Sequence, residues 1–177
     1  MNISITMLLL AAIASLFAIQ DVHTEERTMN KLQITSPVFP HNGMIPSKFT
    51  CDGADVSPTL SIADIPEKTR SLALIVDDPD APVGTWVHWV VWNIGAGTRE
   101  IPEDSVPQGA IQGKNDFGKQ RYGGPCPPSG THRYFFKLYA LDADLALKSG
   151  ATKAQIEAAM KGHVLAQAEL IGLYRRK

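Results

Sequence analysis

Apolar and polar residues alternate in different ways along this chain. Ile3 to Ile19 is one uncharged apolar run, interrupted only by Ser4, Thr6 and Ser15. From Leu32 onward the runs are shorter. Ser71–Asp77 is apolar at successive positions, the pattern of a strand covered on both faces. Trp86–Ile94 is dense in β-branched and aromatic residues and predicts the clearest strand. His132–Leu141 predicts a third. Leu32–Thr35, Lys48–Thr50 and Thr59–Ile62 are weaker strand candidates.

Near the C-terminus the period changes. Thr152 and Gln155 match a helix capping box. Ile156, Met160, Val164, Ala168 and Ile171 then recur every three or four residues, which predicts a helix with one apolar stripe packed on a sheet. Strands followed by a helix give a mainly β domain with peripheral α. Between the second and third strong strands, Gly95–Gly130 holds 8 of the 14 Gly residues. Long irregular segments in compact domains are usually functional or disordered. Phe117, Tyr122 and a Pro-Pro pair favour an ordered loop here.

The first run reads as a secretory signal over residues 1–20. It is a little longer than a usual signal core and short for a membrane span of about 20 residues. Ala18 with Leu16 can form the cleavage region, and the absence of a following Cys argues against a lipid anchor. An uncleaved anchor, or translation from Met29, are the alternatives. Residues 21–31 form a polar linker, and residues 32–177 the folded domain. The expected location is therefore periplasmic or secreted, or cytoplasmic if Met29 is the start.

Composition narrows the function. Seventeen Lys+Arg against 18 Asp+Glu give a net charge of −1, and 44% of the 177 residues are hydrophobic. That excludes wholesale disorder and argues against nucleic acid as a default partner. The zinc-protease, redox-cysteine, nucleophile-elbow, P-loop and dinucleotide motifs are absent, so no cofactor is expected. Asp116-Phe117-Gly118 matches a kinase tripeptide but lacks every accompanying kinase motif.

Three groups of polar residues stand out. Asp77, Asp78 and Asp80 cluster in the DDPDAP segment at 77–82, where Pro79 ends the strand. Taken alone this segment reads equally well as a solvated turn. His88 sits mid-strand, on a face with Trp86, Val90 and Trp92 by period two. A buried, hydrogen-bonded histidine is its ordinary explanation. His132 and Tyr134, two apart, share a face at the start of the third strand, directly after the Gly/Pro-rich loop. His163 is assigned to packing or capping. Cys51 and Cys126 could form a disulfide, remain two buried thiols, or leave a reactive thiol at Cys126. Closing that interval would stabilise the fold by about 4 kcal/mol on the chain-entropy estimate.

The segments TCDG (50–53), LALIVDDPDAP (72–82), VHWVVWNI (87–94), NDFG (115–118), YGGPCPP (122–128) and HRY (132–134) occur in this order. Each is common; the ordered set resembles the phosphatidylethanolamine-binding protein (PEBP) family, in its bacterial and archaeal Raf-kinase-inhibitor-like branch. The resemblance runs from Leu32 to Tyr174. It implies a central antiparallel β-sheet sandwich with a C-terminal helix and a small anion pocket. By motif, Asp78, Asp80, His88, Pro127, Pro128, His132 and Tyr134 would line that pocket. The family accepts phosphate-type groups, including phosphoethanolamine headgroups, and some members inhibit kinases or serine proteases. The implied role is non-catalytic ligand binding or inhibition. Three other readings use the same residues or another surface: a divalent metal site at Asp78, Asp80, His88 and His132; a hydrolase with a His/Asp pair; and a protein-interaction module.

Overall fold

The computed structural model describes residues 31–176. The apolar run Ile3–Ile19, Met29 and the linker up to Asn30 lie outside the described residues. In chain order the elements are β1 (Gln33–Thr35), β2 (Gly43–Met44), a 3-10 turn (Ser47–Phe49), β3 (Leu60–Ala63), β4 (Ser71–Asp78), β5 (Trp86–Gly95), β6 (Glu100–Ile101), β7 (Ile111–Gln112), β8 (His132–Leu141), α1 (Lys153–Met160) and β9 (Val164–Tyr174). Among the described residues, no helix is long and apolar enough to cross a membrane.

Two sheets form. The smaller has the order β1-β3-β6, and the larger β2-β9-β8-β4-β5-β7. Pairing is antiparallel except between β2 and β9. The unbroken apolar run of β4 now has its reason. Leu72, Leu74 and Val76 pack in the cluster shared with Ile34, Leu60, Ile62 and Ile101 of the small sheet. Ala73 and Ile75, of opposite parity, pack in a second cluster with Ile156 and Met160 of α1. A strand between two apolar layers has no polar face.

The C-terminal helix is shorter than its stripe predicts. Its capping box is present, but α1 ends at Met160. Gly162 takes a left-handed φ of 85°, a conformation glycine adopts without steric penalty. The chain then runs back as β9, paired along the whole of β8 from His132↔Tyr174 to Leu141↔Val164. Ala166, Ala168, Leu170, Gly172 and Tyr174 are spaced by two. Val164 and Ala168, read as helical neighbours, are also an even number apart, so both periods fit them. The ten-residue edge of β8 decides between them, because its backbone groups would otherwise lack partners.

Lys48–Thr50 is likewise not a strand. Pro46 leads into a 3-10 turn, with the amide of Phe49 donating to the Pro46 carbonyl at 3.0 Å and that of Thr50 to Ser47 at 3.1 Å. His163 is exposed and pairs with Asp142 at 2.8 Å. Within the Gly-rich segment, β6 and β7 each add a two-residue pairing.

Candidate functional site

The end of β4, the start of β5 and the start of β8 meet at one end of the large sheet, and the Gly/Pro-rich loop closes over them. Register along β4 and β5 slips there: Val76 pairs with Trp89, but Asp77 pairs with Val87. His88 is therefore the extra residue of a β-bulge. The bulge corrects the simple alternation. Val90 and Trp92 lie in the cluster with α1, whereas Trp89 lies in the cluster between the sheets. His88 joins Trp86 in a cavity of about 190 Å³ lined also by Asp78, Val83, Phe117, Cys126, Pro127, Pro128 and His132.

Three of its polar contacts are well defined. His132 Nδ1 lies 2.7 Å from Asp78 Oδ2, both side chains being nearly buried. The Asp80 amide donates to the other oxygen of Asp78 at 2.8 Å, which folds the DPD turn back onto the pair. His88 Nδ1 lies 2.6 Å from the Gly123 carbonyl. A carbonyl only accepts, so that nitrogen carries the proton in the neutral ring. Burial lowers the His88 pKa below the ordinary histidine value, against weaker opposing pulls from Gly123 and Asp78. Asp80 turns the other way. Its carboxylate takes Arg133 Nε at 2.9 Å, an Arg133 terminal nitrogen at 2.6 Å and the Arg133 amide at 3.0 Å. The Arg133 hydrogen bonds hold the Asp80 pKa down at about 2. Asp80 is not among the cavity-lining residues, and it shapes the turn from outside.

Tyr134 is fully buried behind the site, with its ring edge-on to His88 at 5.2 Å. Among the described residues, its hydroxyl has no partner in hydrogen-bond geometry. Burial raises its pKa, and the nearby Asp78 opposes its ionisation further. Tyr134 supports the wall and does not line the cavity.

Trp86, Val83, Phe117 and Cys126 line the cavity, and motif reading did not select them. Asn115 explains how Phe117 arrives. Its amide donates to the Arg121 carbonyl at 2.8 Å and the His88 carbonyl at 3.2 Å, while its oxygen accepts from the Lys119 amide at 2.9 Å. This pins the 115–121 turn, and Phe117 packs edge-on to Trp86 and His88 at 5.4 Å. Gly123 must lack a side chain, because a Cβ there would sit 2.7 Å from the Phe117 ring. An aromatic inside a Gly-rich segment was the available signal.

Among the described residues, no three His, Cys, Asp or Glu side chains gather to hold a metal ion. Among the described residues no Ser, Thr or Lys lines the cavity, and Cys126 is bonded to Cys51. A larger open groove of about 370 Å³, lined by Lys31, Lys137, Tyr139, Gln167, Ala168 and Glu169, contains none of the predicted site residues. The cavity with the His132–Asp78 pair is the chemically distinctive one.

Residues 35–175 match the family model for phosphatidylethanolamine-binding protein. The chain belongs to the PEBP family. It is 52% identical over 150 residues to a UPF0098 protein of Methanothermobacter thermautotrophicus, covering 82% of this chain and 99% of that protein. A UPF0098 protein of Pyrococcus horikoshii is also 52% identical, over 80% of this chain and 76% of that one. The solved PEBP homolog CT736 from Chlamydia trachomatis superposes with a TM-score of 0.81 at 42% identity, covering 84% and 99% of the two chains. Escherichia coli YbcL, described as a member of the mammalian PEBP family, gives 0.79 at 34% identity, covering 84% and 100%. PEBP members are generally non-catalytic binding proteins.

Proposed function

We propose that this PEBP-family chain is a non-catalytic ligand-binding module whose cavity takes a small phosphate-type anionic group. The observation that carries this is the buried His132–Asp78 pair, which faces a largely apolar cavity beside His88. With Nδ1 of His132 donating to Asp78, its Nε2 offers a lone pair when the ring is neutral and an N–H when it is charged. Nε2 of neutral His88 is likewise an acceptor. An anion then requires a proton, brought by the ligand or taken up by a ring. Charge on His132 is compensated by Asp78; charge on His88 would be buried. His132 is therefore the ring that presents an N–H to the anion, and because that contact needs a proton, anion affinity falls as pH rises.

An NMR titration of the full chain with inorganic phosphate and with phosphoethanolamine, at pH 5.5 and pH 8, tests this. Saturable shifts at His88, His132 and Asp78, stronger at the lower pH and lost in His132→Asn, are expected. No saturable shift at millimolar ligand, with the spectrum of a folded protein, overturns the reading.

Val83, 79% exposed beside the cavity, favours a second reading. A kinase or protease could dock on this rim, and its inhibition would then survive His132→Asn. The joined Cys51 and Cys126 support a periplasmic or secreted location, since disulfides persist in oxidising compartments. N-terminal sequencing of protein from cell fractions checks this; an uncleaved cytoplasmic chain refutes it.

A further inference from the structure

The wall carrying Pro127 and Pro128 is held unevenly. Upstream, Gly123, Gly124 and Pro125 are pinned: the Gly123 amide donates to the His88 carbonyl, Gly124 to Asp55 at 2.6 Å, and Cys51 to the Pro125 carbonyl at 3.1 Å. Downstream, residues 127–131 make no hydrogen bond among the described residues. Two of them are prolines and have no N–H to donate. Between the pinned and unpinned parts stands Cys126. It lines the cavity and is bonded to Cys51, with a Cα–Cα distance of 5.4 Å. Both cysteines are at exposed positions.

We infer that the Cys51–Cys126 bond is a redox-sensitive fastening for the cavity wall, so that ligand affinity depends on its oxidation state. This rests on the ligand-binding reading above. The reaction is thiol–disulfide exchange with an external dithiol. One thiolate attacks a protein sulfur, forming a mixed disulfide and expelling the other cysteine as thiolate, which takes up a proton. The second thiol of the dithiol, as thiolate, then attacks the first sulfur, breaking the mixed disulfide and releasing the remaining protein cysteine as a thiolate that takes up a proton. The dithiol is oxidised to a disulfide, and this chain is reduced to two thiols by two electrons and two protons. Once parted, residues 126–131 keep only packing contacts between the Pro125 carbonyl and the start of β8. The entropy of re-ordering that wall is then charged against binding.

The test compares the oxidised full chain, the same protein reduced with dithiothreitol, and Cys51→Ser/Cys126→Ser. Free thiols are counted to verify each state. Phosphoethanolamine titration gives Kd, and ¹⁵N relaxation gives backbone order. Reduction should weaken binding by about tenfold and lower the order of residues 126–131, with β4 and β8 unchanged; the double variant should behave as the reduced protein. Equal Kd in both states overturns the inference while leaving ligand binding intact. No binding in either state overturns the functional reading instead. Relaxation then judges the fastening alone, and unchanged order at 126–131 would refute that too.

Discussion

Asp77 offers a sharp test of how α1 is held to the sheet. Its side chain is completely buried and faces away from the cavity, between Lys137 of β8 and Lys153 at the start of α1. Lys153 Nζ lies 2.5 Å from Oδ2, and Lys137 Nζ is 3.0 Å from the same oxygen. Lys137 is also 2.8 Å from Oδ1 as an ion pair, although the angle there fails as a hydrogen bond. Asp77→Ala would leave the partly buried Lys137 ammonium without its counter-charge and Lys153 with only Glu157, 3.7 Å away. Breaking a buried pair in this way costs about 3–5 kcal/mol. For a domain of this size that lowers Tm by roughly 6–20 °C, at about 2–4 °C per kcal/mol. Lys153→Met should cost less, because Lys137 still neutralises Asp77. Urea unfolding with unchanged m-value is the assay. A double-mutant cycle between Asp77→Asn and Lys153→Met should show coupling above about 0.5 kcal/mol. A loss below about 1 kcal/mol in Asp77→Ala, with an intact far-ultraviolet spectrum, would refute the claim that this carboxylate ties helix to sheet.

Other substitutions probe the packing and the site. At Gly172, a Cβ would come within 2.6 Å of the Ile45 side chain and 2.9 Å of Phe39; Gly172→Ala should destabilise by about 1–3 kcal/mol in urea unfolding. The Asp80 carboxylate should titrate near 2 by carbon-detected NMR. Because its pKa is depressed, its contribution is present above the ordinary value of about 3.9 and lost as pH falls through 2. Arg133→Met should raise the midpoint toward the ordinary range, with the amide of residue 133 still donating to the carboxylate. His88, lowered by burial, should titrate below about 6.5, and acidification below that value should cost stability because the unfolded chain binds the proton more readily. A His88 midpoint at or above 6.5 would contradict its burial.

Legibility in the sequence followed the kind of constraint at work. β4, β5 and β8 were readable because each buries apolar residues along its whole length, and burial shows in composition. α1 was readable at its start, where Thr152 and Gln155 form local contacts. Its end was not. Val164–Tyr174 becomes a strand because β8 needs a partner, and that need belongs to a distant segment. The small β6 and β7 pairings and the 3-10 turn at Ser47 were equally hidden, since two or three residues carry no period.

The site was legible as residue types and hidden as geometry, and the bulge at His88 shows why. Strict alternation places His88 with Val90 and Trp92, on the α1 side of the sheet. One extra residue between the pairings at Trp89 and Val87 moves it to the opposite face, beside Trp86 and the His132–Asp78 pair. On β4, which pairs with β8 without a break as far as Asp77, ordinary alternation turns the Asp77 side chain to the lysines and the Asp78 side chain to His132, so adjacent carboxylates serve opposite faces. That division separates two tasks that would conflict on one surface. Asp77 neutralises lysines that fasten the helix, while Asp78 compensates a ring available to a ligand. It follows that damage at Asp77 should appear mainly in stability, and damage at His132 mainly in binding. A His132→Asn protein as unstable as Asp77→Ala would show that the cavity pair is part of the fastening, and the separation would fail.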